Sequence, residues 1–409
     1  MQVLFVHQNF PGQYRHLAPA LAARGHQVIG LGEAANVKQT RPQWPGVSIY
    51  GYTLKPPGEK TGEPVADLVL PAIRRGQAVA QGLTQLREKG LKPDLICAQI
   101  GWGEAIFTKD VFPDAKLLLY CEFYYRARGA DSSFDPEFPP RGNAAFRVHL
   151  MNLPLTAALE VADAGHAPTE WQRGQFPEHH KNRISVIHEG IDTARAAPGP
   201  DARVTLPDGR ELTAANRVIT YLTRNFEPYR GFHVFMRAIP EIQRRCPDAT
   251  IVMVGGDRVS YSPRPPAGQT YRDRLTQELG SRIDWSRIVL SPPLPYSTYL
   301  ALLKISSVHV YLTYPFVLSW SLLEAMSSGC AIVASRTPPV EEVMKHGEHG
   351  LLVDFFSTAE IAARVEELYR NRDLAARLGA QARQSVVERY DLQTQCLPQL
   401  VGLVEKFKA

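Results

Sequence analysis

The 409-residue chain has little cysteine: Cys97, Cys121, Cys246, Cys330 and Cys396 are five in number, widely spaced, with no C-x-x-C. Neither a disulfide framework nor a zinc site is indicated, and a reducing cytoplasm fits. No apolar run approaches the ~18 residues of a spanning helix, and the N-terminus lacks the basic and apolar regions of a secretory signal. A membrane, if met, is met from the side. No block of one charge sign occurs: 46 Lys+Arg against 41 Asp+Glu leave +5, with 20 basic to 18 acidic in residues 1–190 and 26 to 23 beyond. That excludes the basic tail or stripe of a nucleic-acid binder. A pI near 8.9 leaves room for mild attraction to an anionic membrane surface or small molecule. The first β-α turn offers only Gly12 and no G-x-G-x-x-G, which argues against a nicotinamide-dependent oxidoreductase. D-x-D is also absent, so the carboxylate pair that would hold a divalent ion on a diphosphate is missing. With 44% hydrophobic and 21% charged residues and no repeat, the chain reads as two or three globular domains.

What is present is alternation. Residues 3–6 form a short apolar run, Phe10-Pro11-Gly12 breaks it, residues 14–24 carry Leu17, Ala20 and Leu21 at helical spacing, and residues 28–31 form a second strand. A helix over 66–89, a strand over 95–98, a helix over 105–111 and a strand over 116–121 predict a parallel sheet covered by helices. Residues 122–147, rich in aromatics, Arg, Pro and Gly, read as a long loop of the kind that carries function. After a helix over 150–162 and a strand over 184–187, the segment 189–216 with Pro198-Gly199-Pro200 and the turn Pro207-Asp208-Gly209 reads as a linker. The rhythm restarts with strand 218–222, helix 232–245, strands 250–254 and 308–312, helix 322–328 and strand 331–334, followed by helices over 359–370 and 373–388. The expected organisation is α/β, with a first domain over 1–190, a linker over 191–216, a second domain over 217–390, and a C-terminal helix within 391–409 able to pack back on the first. Ligands of open parallel sheets sit beyond the carboxyl ends of the strands. The loops after Val6, Cys121, Leu222, Val254 and Leu312 are therefore the places for chemistry.

Beyond Leu222 the chain reads Thr223-Arg224-Asn225-Phe226-Glu227-Pro228-Tyr229-Arg230-Gly231, two guanidiniums just ahead of a helix. Arginine forks bind phosphate oxygens bidentately and a helix start adds positive potential, so Arg224 and Arg230 suit a diphosphate cradle; two solvated surface arginines are the alternative. Glu324, expected in the first turn of a helix, either accepts two sugar hydroxyls or complements the helix dipole. His7, His16 and His188 have no second ligand at metal-like spacing and read as core, cap or loop residues.

The order of parts resembles family 4 of the retaining glycosyltransferases, which have the GT-B fold of two facing Rossmann-like domains with an interdomain cleft. The resemblance rests on Asn9-Phe10-Pro11-Gly12, the run from Leu17 to His26, Pro93-Asp94-Leu95-Ile96, Pro168-Thr169-Glu170-Trp171 and Val186-Ile187-His188-Glu189-Gly190-Ile191-Asp192. The second half adds Arg224, Arg230-Gly231, Val254-Gly255-Gly256, the run from Leu322 to Gly329, and His349-Gly350-Leu351-Leu352-Val353.

This resemblance implies that Arg224 and Arg230 hold a donor diphosphate, with arginine in place of the usual lysine at 230. Glu324 matches the second glutamate of the family's Glu-seven residues-Glu motif and would bind the ribose hydroxyls; Phe316 stands where the first would fall. Backbone amides around Ser319 and Trp320 match the stretch that contacts the β-phosphate and sugar. Gly12 matches a close-approach glycine, though it also suits a simple turn. Where many members carry a histidine, this chain has Glu122, which either orients the acceptor near the anomeric centre or pairs with Arg126 or Arg128. The implied activity is retaining, metal-independent hexosyl transfer from a UDP-, GDP- or ADP-sugar to a hydroxyl of a sugar, lipid or small molecule, without a cofactor. An epimerase of the same fold and a non-catalytic nucleotide-sugar-binding homologue are the rivals. Residues 122–147 are the expected acceptor-side element.

Overall fold

Val3, Leu4, Phe5 and Val6 are all excluded from solvent, as the interior strand of a parallel sheet covered on both faces must be. They lie in β1 (Gln2–Val6). β2 (Gln27–Glu33), β3 (Val47–Tyr52), β4 (Leu95–Gln99), β5 (Lys116–Tyr120), β6 (Ala164–Ala167) and β7 (Ile184–Val186) complete a seven-stranded sheet of order β3-β2-β1-β4-β5-β6-β7, whose pairings are parallel. Alternation along β1 sorts the core. Val3 and Phe5 pack with Tyr14, Leu17, Leu21 and the C-terminal helix Leu397–Glu405, whereas Leu4 and Val6 face Val79 and Leu83 of the helix Pro64–Glu88.

The computed structural model describes residues 1–40, 44–55, 62, 64–139, 143–199, 201–206 and 209–408; Pro200, Pro207 and Asp208 of the linker signals and residues 140–142 of the long loop lie outside them. Residues 1–133, 140–190 and 393–409 form one compact unit, and residues 134–139 with 191–392 form a second.

In the second unit, the described residues of the expected linker 191–216 carry regular structure and core side chains. β8 (Arg203–Thr205) and β9 (Glu211–Thr213) make an antiparallel hairpin, and Ala196, Val204, Leu206 and Leu212 are buried in that unit's core. β10 (Val218–Asn225), β11 (Thr250–Gly256), β12 (Ile288–Ser291), β13 (Ser306–Tyr311), β14 (Ile332–Ser335) and β15 (Leu351–Val353) form a six-stranded sheet of order β12-β11-β10-β13-β14-β15. β10 runs three residues past its expected end, which places Arg224 in the strand rather than in the loop.

The helix Phe232–Arg245 matches its expected bounds. It is preceded by Gly231 at φ +72°, where an added Cβ would lie 2.4 Å from Leu312 Cβ. Close approach and left-handed backbone therefore both demand glycine. Gly231→Ala is expected to destabilise the chain by roughly 2–4 kcal/mol, read as a lower urea midpoint. An unchanged midpoint would contradict this packing.

Candidate active site

At the carboxyl end of the second unit's sheet, a buried carboxylate sets the loops. Glu227 is 1% exposed, and its Oε2 accepts the amides of Ser260, Tyr261 and Ser262 at 3.1, 2.9 and 3.0 Å. Asn225 Nδ2 donates to Ser260 Oγ at 2.7 Å, and the Tyr229 amide to Ser262 Oγ at 3.1 Å. The loop after β10 is thereby stapled to the loop after β11. Glu227 lies between Arg224 and Arg230, but its partners are 33 to 35 residues further on, so no local signal marks it.

Arg230 ends a single 3₁₀ turn, Pro228–Arg230. Its Nη1 donates to Thr313 Oγ1 at 2.8 Å and to the Val317 carbonyl at 3.4 Å, while its own carbonyl accepts the Tyr221 hydroxyl at 2.6 Å. Nε and Nη2 make no hydrogen bond among the described residues. The guanidinium is thus anchored at one nitrogen with N–H groups left to present to an oxyanion. Arg224 is exposed and makes no hydrogen bond or ion pair among the described residues.

Ser319 caps the helix Trp320–Ser327, accepting from the Ser321 amide at 3.3 Å. Its own amide donates to Tyr311 Oη at 3.2 Å, so this expected phosphate donor is already used within the protein. Trp320 opens the helix and packs half-buried against the core. The early start puts Glu324 in the second turn and not the first, beyond the strongest influence of the helix dipole. Its carboxylate instead accepts Tyr296 Oη at 2.7 Å and Tyr299 Oη at 2.9 Å. A carboxylate has about four acceptor positions, so two hydroxyls still find places. Burial, followed by the Glu324 charge, raises the Tyr299 phenol well above its ordinary range and keeps it a donor.

Phe316 is buried, edge-on to Tyr229 at 5.4 Å and against Tyr261 at 4.9 Å between ring centroids. The position expected to hold a carboxylate is an aromatic wall.

The long loop is divided. Six of its residues, 134–139, belong to the second unit. Asp135 Oδ2 accepts the Tyr314 hydroxyl and lies 3.0 Å from His233 Nε2; Glu137 makes a bidentate pair with Arg237 at 2.6 and 2.9 Å. Phe134 packs on Tyr314 and Phe355, and Phe138 on His233 and Tyr271. Burial pushes the Asp135 carboxyl up, but its bonds from His233 and Tyr314 outweigh this and hold it below the usual carboxylate range. This segment therefore buttresses Tyr314, whose amide donates to the Tyr229 carbonyl at 3.0 Å. Of the expected acceptor-side element 122–147, residues 134–139 thus pack within the second unit, where alternating Phe and acidic residues find aromatic and basic partners.

In the first unit, Glu122 follows β5. Gln99 Nε2 donates to its Oε2 at 2.8 Å, Gln13 Nε2 to its Oε1 at 3.4 Å, and Gln172 Nε2 to its carbonyl at 2.6 Å. Arg126 donates to the carbonyls of Gly174, Gln175 and Phe176, and Arg128 makes no ion pair among the described residues; neither supplies the expected pairing alternative. Gly12, at φ +49°, has the His7 ring where a Cβ would stand, 2.6 Å from Cε1. Glycine is needed there for the ring. His7 Nδ1 accepts the Asn9 amide at 2.9 Å, and burial lowers its pKa to about 4.

The glycosyl transferase family 4 group model matches residues 24–196 and the glycosyl transferases group 1 model matches residues 210–385. The chain belongs to the group 1 glycosyltransferases. This group 1 chain is 30% identical over 230 residues to the D-inositol 3-phosphate glycosyltransferase of Corynebacterium efficiens, covering 55% of this chain and 52% of that protein. Over 239 residues it is 27% identical to the GDP-mannose-dependent alpha-(1-6)-phosphatidylinositol monomannoside mannosyltransferase of Mycolicibacterium smegmatis, covering 57% and 60%. It spans about half the length of the curated relatives it matches. Solved structures show the GT-B fold: sucrose-phosphate synthase of Thermosynechococcus elongatus has TM-score 0.77 at 15% identity over 100% and 99% of the two chains. Anabaena HepE in complex with UDP and glucose has TM-score 0.71 at 16% identity over 99% and 100%.

Asp135→Ala leaves two buried donors without an acceptor and is expected to lower stability by about 2–4 kcal/mol, with Asp135→Asn costing less; equal stability of all three forms in thermal melts would refute the buttress. A pH profile tests the buried groups. Burial lowers His7, His166 and His309 to about 4, so their contribution is complete above about 6.5 and declines as pH falls from there towards 4. Burial raises Glu104 to about 8, so its contribution is present below the unfolded pKa near 4.5 and lost as pH rises through 8. Across this window the melting temperature should peak near pH 6.5, and Glu104→Gln should flatten the alkaline side. A monotonic rise to pH 8 would contradict the Glu104 assignment, and a melting temperature that does not fall between pH 6.5 and 4 would contradict those of the histidines.

Proposed function

We propose that the protein transfers a sugar from a nucleoside diphosphate sugar to an acceptor hydroxyl, with retention and without a metal ion. The observation that carries this reading is Arg230, anchored by Thr313 and Val317 with guanidinium N–H groups still to offer, at the carboxyl end of a parallel sheet. Membership of the group 1 family supports the reaction class.

In this reading Arg230 and Arg224 meet the diphosphate and stabilise charge as it builds on the leaving oxygen. Glu324, oriented by Tyr296 and Tyr299, accepts the ribose hydroxyls. The bond from the anomeric carbon to the β-phosphate oxygen breaks, the acceptor oxygen bonds to that carbon from the same face, and the acceptor proton passes to the departing phosphate oxygen. No enzyme nucleophile is required. Absence of D-x-D from the sequence supports charge neutralisation by arginine. Glu122, its carboxylate held by Gln13 and Gln99, orients the acceptor hydroxyl. Among the described residues no helix is long and apolar enough to cross a membrane, and a lipid-bearing acceptor would be reached from the membrane's side. The relatives are named for D-inositol 3-phosphate and for phosphatidylinositol monomannoside, which makes an inositol-bearing acceptor the first to assay. The second reading, nucleotide-sugar binding without transfer, is favoured by one observation, the aromatic wall at Phe316.

Calorimetry and thermal shift with UDP, GDP, ADP and their sugar conjugates, with and without EDTA, test the donor site, since a ligand of the native state raises its melting point. Selective, EDTA-insensitive binding of one diphosphate is expected. Arg230→Ala should weaken it by ~1.5–3 kcal/mol, the value of charge-assisted contacts, and Arg224→Ala should also weaken it. Unchanged affinity in both variants would sink the cradle. Binding without product from any acceptor would favour the non-catalytic reading.

A further inference from the structure

The second unit has a basic crevice at the opposite end of its sheet. It encloses about 230 Å³ where β13 and the approach to β14 begin, between Lys304, Ser306 and Ser307 on one side and Arg372 of the helix Arg372–Tyr390 on the other. None of its lining residues is acidic. Lys304 and Arg372 make no ion pair or hydrogen bond among the described residues. Arg237, Arg244, Arg245, Arg272 and Arg287 of the same unit, by contrast, each face a carboxylate. Arg217, stacked over the Tyr369 ring at the crevice wall, lies 3.4 Å from Asp248. The Lys304 stem is packed against Gly199, where an added Cβ would lie 3.0 Å from Lys304 Cδ. Ser306 Oγ lies 2.7 Å from Thr220 Oγ1, a hydrogen bond that fixes its position.

We propose that this crevice binds a phosphate group, free or as the monoester of a small polyol, distinct from any nucleotide at the other end of the sheet. Two cations without protein counter-charge supply the attraction, and the Ser307 hydroxyl supplies a short-range donor. The volume lies below the ~300–1,000 Å³ of drug-sized ligand pockets, which suits a small phosphate ester rather than a nucleotide. The site is also tied to the candidate active site. Gly329, in the crevice wall, follows the helix Trp320–Ser327, whose other end is the Ser319 loop. Gly379 packs so closely there that an added Cβ would lie 2.2 Å from the Gly329 carbonyl oxygen. An occupant drawing Arg372 towards Lys304 therefore bears on the helix that carries Glu324.

Calorimetric titration with inorganic phosphate and with glycerol 3-phosphate, at constant ionic strength and with the donor cradle removed by Arg224→Ala and Arg230→Ala together, tests the site. Saturable binding is expected, at least tenfold weaker when Lys304→Ala and Arg372→Ala are combined and largely kept when Lys304→Arg and Arg372→Lys are combined. Tighter binding of the ester identifies a phosphorylated metabolite as the occupant, and equal affinities identify phosphate itself. Absence of saturable binding, or binding indifferent to the double alanine change in a protein of unaltered melting temperature, would overturn the proposal. Because Arg224 and Arg230 are already absent, failure here leaves the donor reading standing, and failure of the donor reading leaves this one standing.

Discussion

The carboxylate of Glu227 holding three consecutive amides is the interaction on which the arrangement of the second unit's loops depends. A buried carboxylate costs several kcal/mol unless its lone pairs are filled, and buried amides cost comparably when left bare. Here each answers the other. The loop after β11 has no regular structure between Asp257 and Pro263 to satisfy its own N–H groups, so without Glu227 it would have no reason to take this course. With that loop fixed, Ser262 receives the Tyr229 amide and Ser260 receives Asn225, and Arg230 is delivered to Thr313. The cation proposed to meet a diphosphate is thus positioned by a buried anion.

Arginine at 230, where the family more often has lysine, follows from the same geometry. An ammonium is a point charge whose three donors rotate together, whereas the guanidinium is a rigid fork with five. One nitrogen here is anchored to Thr313 and Val317 while the remaining edge stays available. A lysine reaching Thr313 would spend on the protein the same nitrogen it needs for a phosphate.

The parallel sheets were legible because interior strands such as β1, β10 and β11 are continuous apolar runs separated by helical spacing. β3 was not, since its residues alternate in exposure and include Gly51; nor were β12 and β15, which are three or four residues long at the sheet's edges. Arg230 was legible as a residue type in a loop, but its anchor at Thr313 lies 83 positions away. The tyrosines that hold Glu324 are 25 and 28 residues upstream on another helix. Asp135 was hidden most completely. Nothing local in a Phe- and Pro-rich loop signals partners about a hundred and a hundred and eighty residues further on.

Phe316 is where those non-local contacts matter for chemistry. A glutamate at that position would have to place its carboxylate against the rings of Tyr229 and Tyr261 and would lose hydration there, at a desolvation cost of several kcal/mol unless it were paired. Phenylalanine removes that cost and extends an aromatic surface that continues through Tyr314 to Phe134 and Phe355. The wall beside Arg230 is therefore apolar and braced from behind by the 134–139 segment. A transferred group resting against it would be held by stacking of its C–H face rather than by a carboxylate accepting its hydroxyls. On the proposed reading, in which Arg230 and Glu324 meet the diphosphate and the ribose, the wall would discriminate by shape, penalising any substituent that must bury an unpaired hydroxyl against the rings.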